Sequence, residues 1–268
     1  MNSMTLPEIG LFFVVSAAGG AMNSVAGGGT FIVFPMLIMN GLGAVQANIM
    51  STIALWPGSV SSAYAYRREL IVDRKHLGAF MAVSVAGSAI GTAILLLTPE
   101  RTFEHLVPWL LLAATLLFTF GRYSLSLWER VRVRAFQHAP PSPGATRHPL
   151  PEGEGKGLFL QFLIAIYGGY FGAGIGILML AMLQMLGLAS IHRMNALKSF
   201  LGSTINAVAV AIFILSGRVL WHLALVMIVG AMAGGYFGAR LALKVPPEKV
   251  RLLVSAIGFS MTAYFFLR

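Results

Sequence analysis

Asn195, Lys198, Ser199, Gly202 and Asn206 fall at i, i+3, i+4, i+7 and i+11 in a stretch otherwise dominated by Leu, Ile, Val and Ala. That spacing places all five on one stripe of an α-helix. Together they can hold a small anion, the lysine supplying charge and the others hydrogen bonds. An earlier stretch echoes the stripe more weakly with Asn48, Ser51, Thr52, Ser59 and Ser62. The same residue types have blander uses. A lysine two turns into a helix can snorkel to a membrane surface, and asparagines can bond between helices.

A second chemical feature is glycine. Gly27, Gly28 and Gly29 precede Thr30, and Gly168, Gly169, Gly172, Gly174 and Gly176 crowd a later segment. Each glycine costs a helix interior about 1 kcal/mol relative to alanine, so both runs should break. Short helices starting after Gly29 and near Gly174 would aim N–H groups inward, and such ends favour anions. The alternative is that these glycines serve only tight helix crossings. No Gly-Lys-Ser/Thr follows, so a nucleotide phosphate loop is excluded.

Other chemistries find no support. The chain has no cysteine, which removes disulfides, iron–sulfur clusters and thiol catalysis. His76, His105, His192 and His222 sit at the ends of apolar runs, and no Gly-x-Ser-x-Gly stretch occurs. No catalytic residue, metal site or cofactor is expected, and the chain reads as a non-enzyme.

The elements that must position these residues follow from composition. Of 268 residues 57% are hydrophobic and 10% charged, against about 25% charged in soluble domains. Residues 76–98, 105–121, 158–191 and 219–239 carry no Asp, Glu, Lys or Arg; such runs read as membrane spans. The net charge of +10 is carried in loops, where orientation in the membrane explains it, so nucleic acid is not an expected partner. The first run lacks a basic leader and is read as retained. Trp56, Trp109, Trp128 and Trp221 read as interface anchors.

The chain also repeats. Gly19 and Gly20 recur as Gly168 and Gly169, Gly41-Leu42 as Gly187-Leu188, Asn48 as Asn195, Gly87 and Gly91 as Gly234 and Gly238, and Pro99 as Pro246. Residues 1–127 and 158–268 are therefore read as two repeats, joined by a Pro-, Gly- and charge-rich 128–157 segment expected to be disordered. Each repeat holds a glycine-broken element (about 8–41 and 158–187) and three single helices. The helices are expected over 45–66, 76–97 and 105–124, then 190–215, 219–242 and 248–267. Gly87/Gly91 and Gly234/Gly238 are small faces for close helix packing.

Arg67, Arg68, Arg74 and Lys75 crowd the second loop of the first repeat, and Arg240, Lys244, Lys249 and Arg251 the third loop of the second. Basic loops face the cytoplasm, so the repeats are expected to be inverted. The expected fold is an all-α polytopic membrane protein of two inverted-topology repeats, each a broken helical hairpin plus three spans. Both termini are expected outside and the 128–157 segment inside. Inverted repeats with matching broken helices point to a transporter with a midplane site.

The stretches AGGGTFIVFPMLIMNGLGAVQANIMSTIALWPGSVSSAYAYRRE, YGGYFGAGIGILMLAMLQMLGL and NALKSFLGSTINAVAV resemble the TauE/SafE family of bacterial membrane proteins. The resemblance spans nearly the whole chain outside 128–157. It implies a secondary transporter of the bacterial inner membrane that moves sulfite, sulfonates or related small sulfur anions, with H+ as coupling ion; no span centre carries Asp or Glu for a proton relay, which leaves uncoupled or potential-driven export open. By that analogy Gly27, Gly28, Gly29, Thr30, Asn48, Thr52, Gly174, Gly176, Asn195, Lys198, Ser199 and Asn206 surround the anion. Pro35 has no proline counterpart, since Gln184 stands near the matching place, so the two half-sites need not be equivalent. The partners expected are a small anion, the lipid bilayer, H+ and a second copy of the chain. A small-anion channel on the same scaffold is the competing reading, an intramembrane enzyme the remote one.

Overall fold

The computed structural model describes residues 5–26, 28–70, 74–136, 154–188, 190–242 and 247–267. Among them there is no strand. Ten α-helices run α1 (Leu6–Ala26), α2 (Thr30–Met39), α3 (Ala44–Ala65), α4 (Arg74–Leu97), α5 (Glu100–Phe136), α6 (Glu154–Tyr170), α7 (Ile175–Met185), α8 (Ile191–Leu215), α9 (Trp221–Ala242) and α10 (Pro247–Leu267), with a short 3-10 turn at Arg67–Glu69. Among the described residues four stretches are long and apolar enough to cross a bilayer: Leu6–Asn23, His76–Leu97, Glu100–Phe120 and Arg193–Leu215. The chain is an all-α polytopic membrane protein.

The expected breaks are present. α1 stops at Ala26 and α2 starts at Thr30; α6 stops at Tyr170 and α7 starts at Ile175. Helix is assigned at both edges of the 128–157 segment. α5 continues to Phe136 and α6 begins at Glu154, because the residues flanking the Pro-rich stretch extend the adjoining spans as helix. Residues 137–153 lie outside the described residues.

Two turns paired in the sequence, at Gly41 and Gly187, share one hydrogen-bond pattern. At the end of α2 the Gly41 N–H donates to Ile38 O (3.0 Å) and the Leu42 N–H to Leu37 O (3.1 Å). At the end of α7 the Gly187 N–H donates to Gln184 O (3.0 Å) and the Leu188 N–H to Leu183 O (3.2 Å). Both are Schellman caps, which require a left-handed residue at the first position past the helix cap. Gly41 and Gly187 each supply it with φ 88°.

Packing between the halves follows the same exchange. α1 lies along α9, and α6 along α4; α3 meets α8, and α5 meets α10. The close crossings are made where side chains are absent. A Cβ on Gly234 would strike the carbonyl of Ala17, and one on Gly20 that of Ala231. Across the other pair, Gly91 faces the Ile166 carbonyl and Gly169 that of Ser88. Such approach replaces the hydrophobic drive that lipid removes with van der Waals contact.

Candidate functional site

The C-terminal end of α6 leaves carbonyls without an i+4 donor, and at membrane depth no water substitutes. Side chains supply the donors. The Thr92 hydroxyl on α4 donates to Gly169 O (3.2 Å) and Asn48 Nδ2 on α3 to Tyr170 O (2.9 Å). Tyr167 OH donates to Ala173 O beyond the break (2.7 Å). Two of these three donors come from the other half of the chain. Asn48 is buried, and its Oδ1 has no hydrogen-bond partner. The Ser51 and Thr52 hydroxyls both donate to the Asn48 backbone carbonyl (3.0 and 2.9 Å).

Past this end the chain turns through Gly172 and Gly174, with φ 78° and 79°. A left-handed conformation costs an L-residue roughly 1–2 kcal/mol, so glycine releases the backbone to start α7 in a new direction. No side chain caps Gly174. Two residues on, a Cβ at Gly176 would lie 3.4 Å from Cδ and 3.9 Å from Cε of Lys198. The lysine stem thus runs across the first turn of α7. Lys198 is partly buried, and no ion pair joins it to an acidic group among the described residues. A lysine chain and the positive end of a helix dipole meet here, and among the described residues no carboxylate is paired with the lysine.

The rest of the α8 stripe lies off the packed face. Leu197, Leu201 and Ile205 are buried, whereas Asn195, Ser199, Gly202 and Asn206 are partly exposed. The space a Cβ would occupy at Gly202 is open, with nothing within 4 Å. Asn195, Lys198, Ser199 and Asn206 therefore share one helix side, away from the buried Leu197, Leu201 and Ile205.

The first break is built differently. Gly27 lies outside the described residues. Gly28 and Gly29 are buried, Thr30 partly so. A Cβ on Gly28 would meet Val254 at 3.0 Å and Phe118 at 3.6 Å; one on Gly29 would strike the Gly19 carbonyl and lie 3.0 Å from the Asn23 Cβ. These positions are close-packed. α2 restarts with the Phe31 N–H on Gly28 O and the Val33 N–H on Gly29 O, both 3.1 Å.

Two residues gain significance that sequence reasoning did not give them. Asn23, in the last turn of α1, packs on Gly29, and its amide nitrogen lies 4.0 Å from the Cβ position of Gly58 on α3. Its signal was an asparagine within an apolar span, just ahead of the glycines. Trp56, read as an interface anchor, is partly buried in mid-α3 and donates from Nε1 to Ser203 O on α8 (3.3 Å). The correction has a physical cause: Trp56 lies within a continuous helix and not at its end, so its indole reaches the other half. Ser88 ties α4 to the same stretch of α8 through Ile205 O (2.7 Å). Trp109, 61% exposed, packs edge-on to Phe266.

With this geometry in place, similarity to known proteins can be weighed. The family described as Sulfite exporter TauE/SafE matches residues 11–265. A "Probable membrane transporter protein" of Haemophilus influenzae is 25% identical over 95% of this chain and 93% of its own length. The "Probable membrane transporter protein YfcA" of Escherichia coli is 24% identical over 95% of this chain and 88% of its own. The "Probable membrane transporter protein YunE" of Bacillus subtilis is 22% identical over 92% and 93%. No solved structure matches.

Proposed function

The chain belongs to the sulfite exporter TauE/SafE family of membrane transporters, and from that premise we propose that it is a secondary transporter exporting a small sulfur oxyanion or sulfonate. The observation that carries this reading is the Lys198 stem lying across Gly176 at the start of α7. An ammonium and a helix N-terminus converge there, and an anion between them would satisfy both. Gly174, Gly176, Asn195, Lys198, Ser199 and Asn206 form the anion subsite on this reading. On the same reading Gly28, Gly29, Thr30, Asn48 and Thr52 brace this site from the other half without touching the anion.

Movement follows alternating access, in which one inverted repeat rocks against the other. The pairing of α1 with α9 and of α6 with α4 supports it, since each broken element is clasped by the opposite half. The setting is the bacterial inner membrane, with both termini periplasmic, the 128–157 segment cytoplasmic, and a homodimer as the assembled form. Single cysteines placed in 99–104 and in 216–218 should both label from outside; labelling of 216–218 from inside alone would overturn the inversion.

The function is tested by flux. Purified protein in liposomes is given sulfite, sulfoacetate, sulfate and acetate in turn, with and without a pH gradient. Saturable flux of a sulfur anion, lost in Lys198→Ala and Asn206→Leu, is expected, and the gradient reports whether H+ travels with it. Unsaturable leakage would favour a channel, and flux indifferent to both variants would remove the subsite from α8.

A further inference from the structure

One buried atom near the second break has a polarity that its neighbours dictate. Tyr170 O can only accept a hydrogen bond, so the group 2.9 Å from it is the Asn48 NH2. This removes the usual ambiguity between amide oxygen and nitrogen. Oδ1 is then the free end of the amide. It is buried and has no hydrogen-bond partner, on a residue only 1% exposed.

An amide oxygen repels an anion and attracts a cation. Its setting adds to that preference. α6 ends at Tyr170, and the C-terminus of a helix carries the negative end of its dipole. The Ser51 and Thr52 hydroxyls spend their protons on the Asn48 carbonyl, which leaves their oxygens as further acceptors on the same turn of α3. The opposite polarity lies across the break, at the N-terminus of α7 beside Lys198. An interrupted helix with an anion at its positive end and a small cation at its negative end is a known way to couple the two.

We propose that Asn48 Oδ1 marks a subsite for a small monovalent metal cation, with Na+ as its ligand, which travels with the anion. Among the described residues no cluster of three or more His, Cys, Asp or Glu exists. Neutral oxygens suit a monovalent ion, whereas Ca2+ is held largely through carboxylates. The proposal rests on the transporter reading and deepens it: Na+, in place of H+, would couple the flux.

The test separates the two. Thermal unfolding of the detergent-purified chain is followed against NaCl, with choline chloride holding ionic strength constant, and needs no transport. Na+-specific stabilisation that saturates is expected, absent in Asn48→Leu. Asn48→Asp should lower the half-saturating Na+ concentration about tenfold, since carboxylate charge tunes cation affinity; a merely structural cap on Tyr170 would give no such shift. In liposomes a sulfonate, permanently charged, should drive uptake of labelled Na+. Saturable anion flux with no Na+ response in either assay overturns the cation subsite and leaves the transporter standing. Na+-specific stabilisation without anion flux would keep the subsite and remove the transport reading. Stabilisation equal in choline and NaCl means that Oδ1 holds water.

Discussion

The two helix breaks occupy matching places in the repeat, yet they are built on opposite plans. At the first, Gly28 and Gly29 are wedged against Val254, Phe118, Asn23 and the Gly19 carbonyl. At the second, Gly172 and Gly174 take a left-handed turn, and the nearest atom to a Cβ on Gly174 is 3.6 Å away. The first break leaves no room for a side chain; the second is buried too at Gly174, but there glycine serves to turn the chain, beside the lysine stem. Their end groups differ as well. The α6 carbonyls are met by Thr92 and Asn48 from the other half. Asn195, the sequence counterpart of Asn48, is partly exposed on the open side of α8. The two halves share the Schellman-capped turns at Gly41 and Gly187, yet the side chains around their breaks differ.

The sharpest way to test that difference is to strike matched positions. Lys198 stands where the first half has Ser51. Lys198→Ala should cut sulfur-anion flux about 10- to 100-fold, the loss of a charged hydrogen bond worth about 1.5–3 kcal/mol. Ser51→Ala removes only a back-bond to its own helix, which contributes little to helix stability, so flux should move within about threefold. Equal losses in both would mean that the halves share the site evenly.

The breaks themselves should differ next. Gly29→Ala drives a methyl into the Gly19 carbonyl, and overpacking of this kind costs roughly 1–3 kcal/mol or more. Gly174→Ala meets only ordinary contact, so its cost is the left-handed strain, about 1–2 kcal/mol. Thermal unfolding in detergent should rank Gly29→Ala below Gly174→Ala. Flux per folded molecule should reverse that order, because Gly174 opens α7 beside Lys198. A single ranking in both assays would mark the two breaks as equivalent.

Much of this was legible beforehand, and the reason is periodicity. The charge-free runs 76–98 and 105–121 match two candidate spans, whereas 158–191 divides at the second break and 219–239 holds a shorter apolar helix; Gly41-Leu42 with Gly187-Leu188 marked two turns that prove to be the same cap. The α8 stripe was readable because one helix carries it. The cross-half bonds were not, since nothing in the spacing of Asn48 shows that its amide will meet Tyr170, 122 positions later. Trp56 was misread for the same reason: amphipathic indole suits an interface, and only the approach of α8 supplies Ser203 O as a buried acceptor. Nor could sequence tell that the triple glycine would serve packing at Gly28 and Gly29 while its counterpart turned the chain.

The smallest expected effects concern how the halves hold one another. Trp56→Phe keeps most of the ring and removes only the bond to Ser203 O; Thr92→Val keeps the shape and removes the bond to Gly169 O. Bonds between helices in a membrane average about 0.6 kcal/mol. The two variants should therefore differ in what is left behind. Ser203 lies within α8 and Gly169 in the last turn of α6. The first carbonyl keeps its helical partner, while the second has no i+4 donor within its helix and is stranded. Thr92→Val should then destabilise more than Trp56→Phe in matched unfolding curves. An inverse order would show that the indole, and not the capped end of α6, holds the second break against the first half.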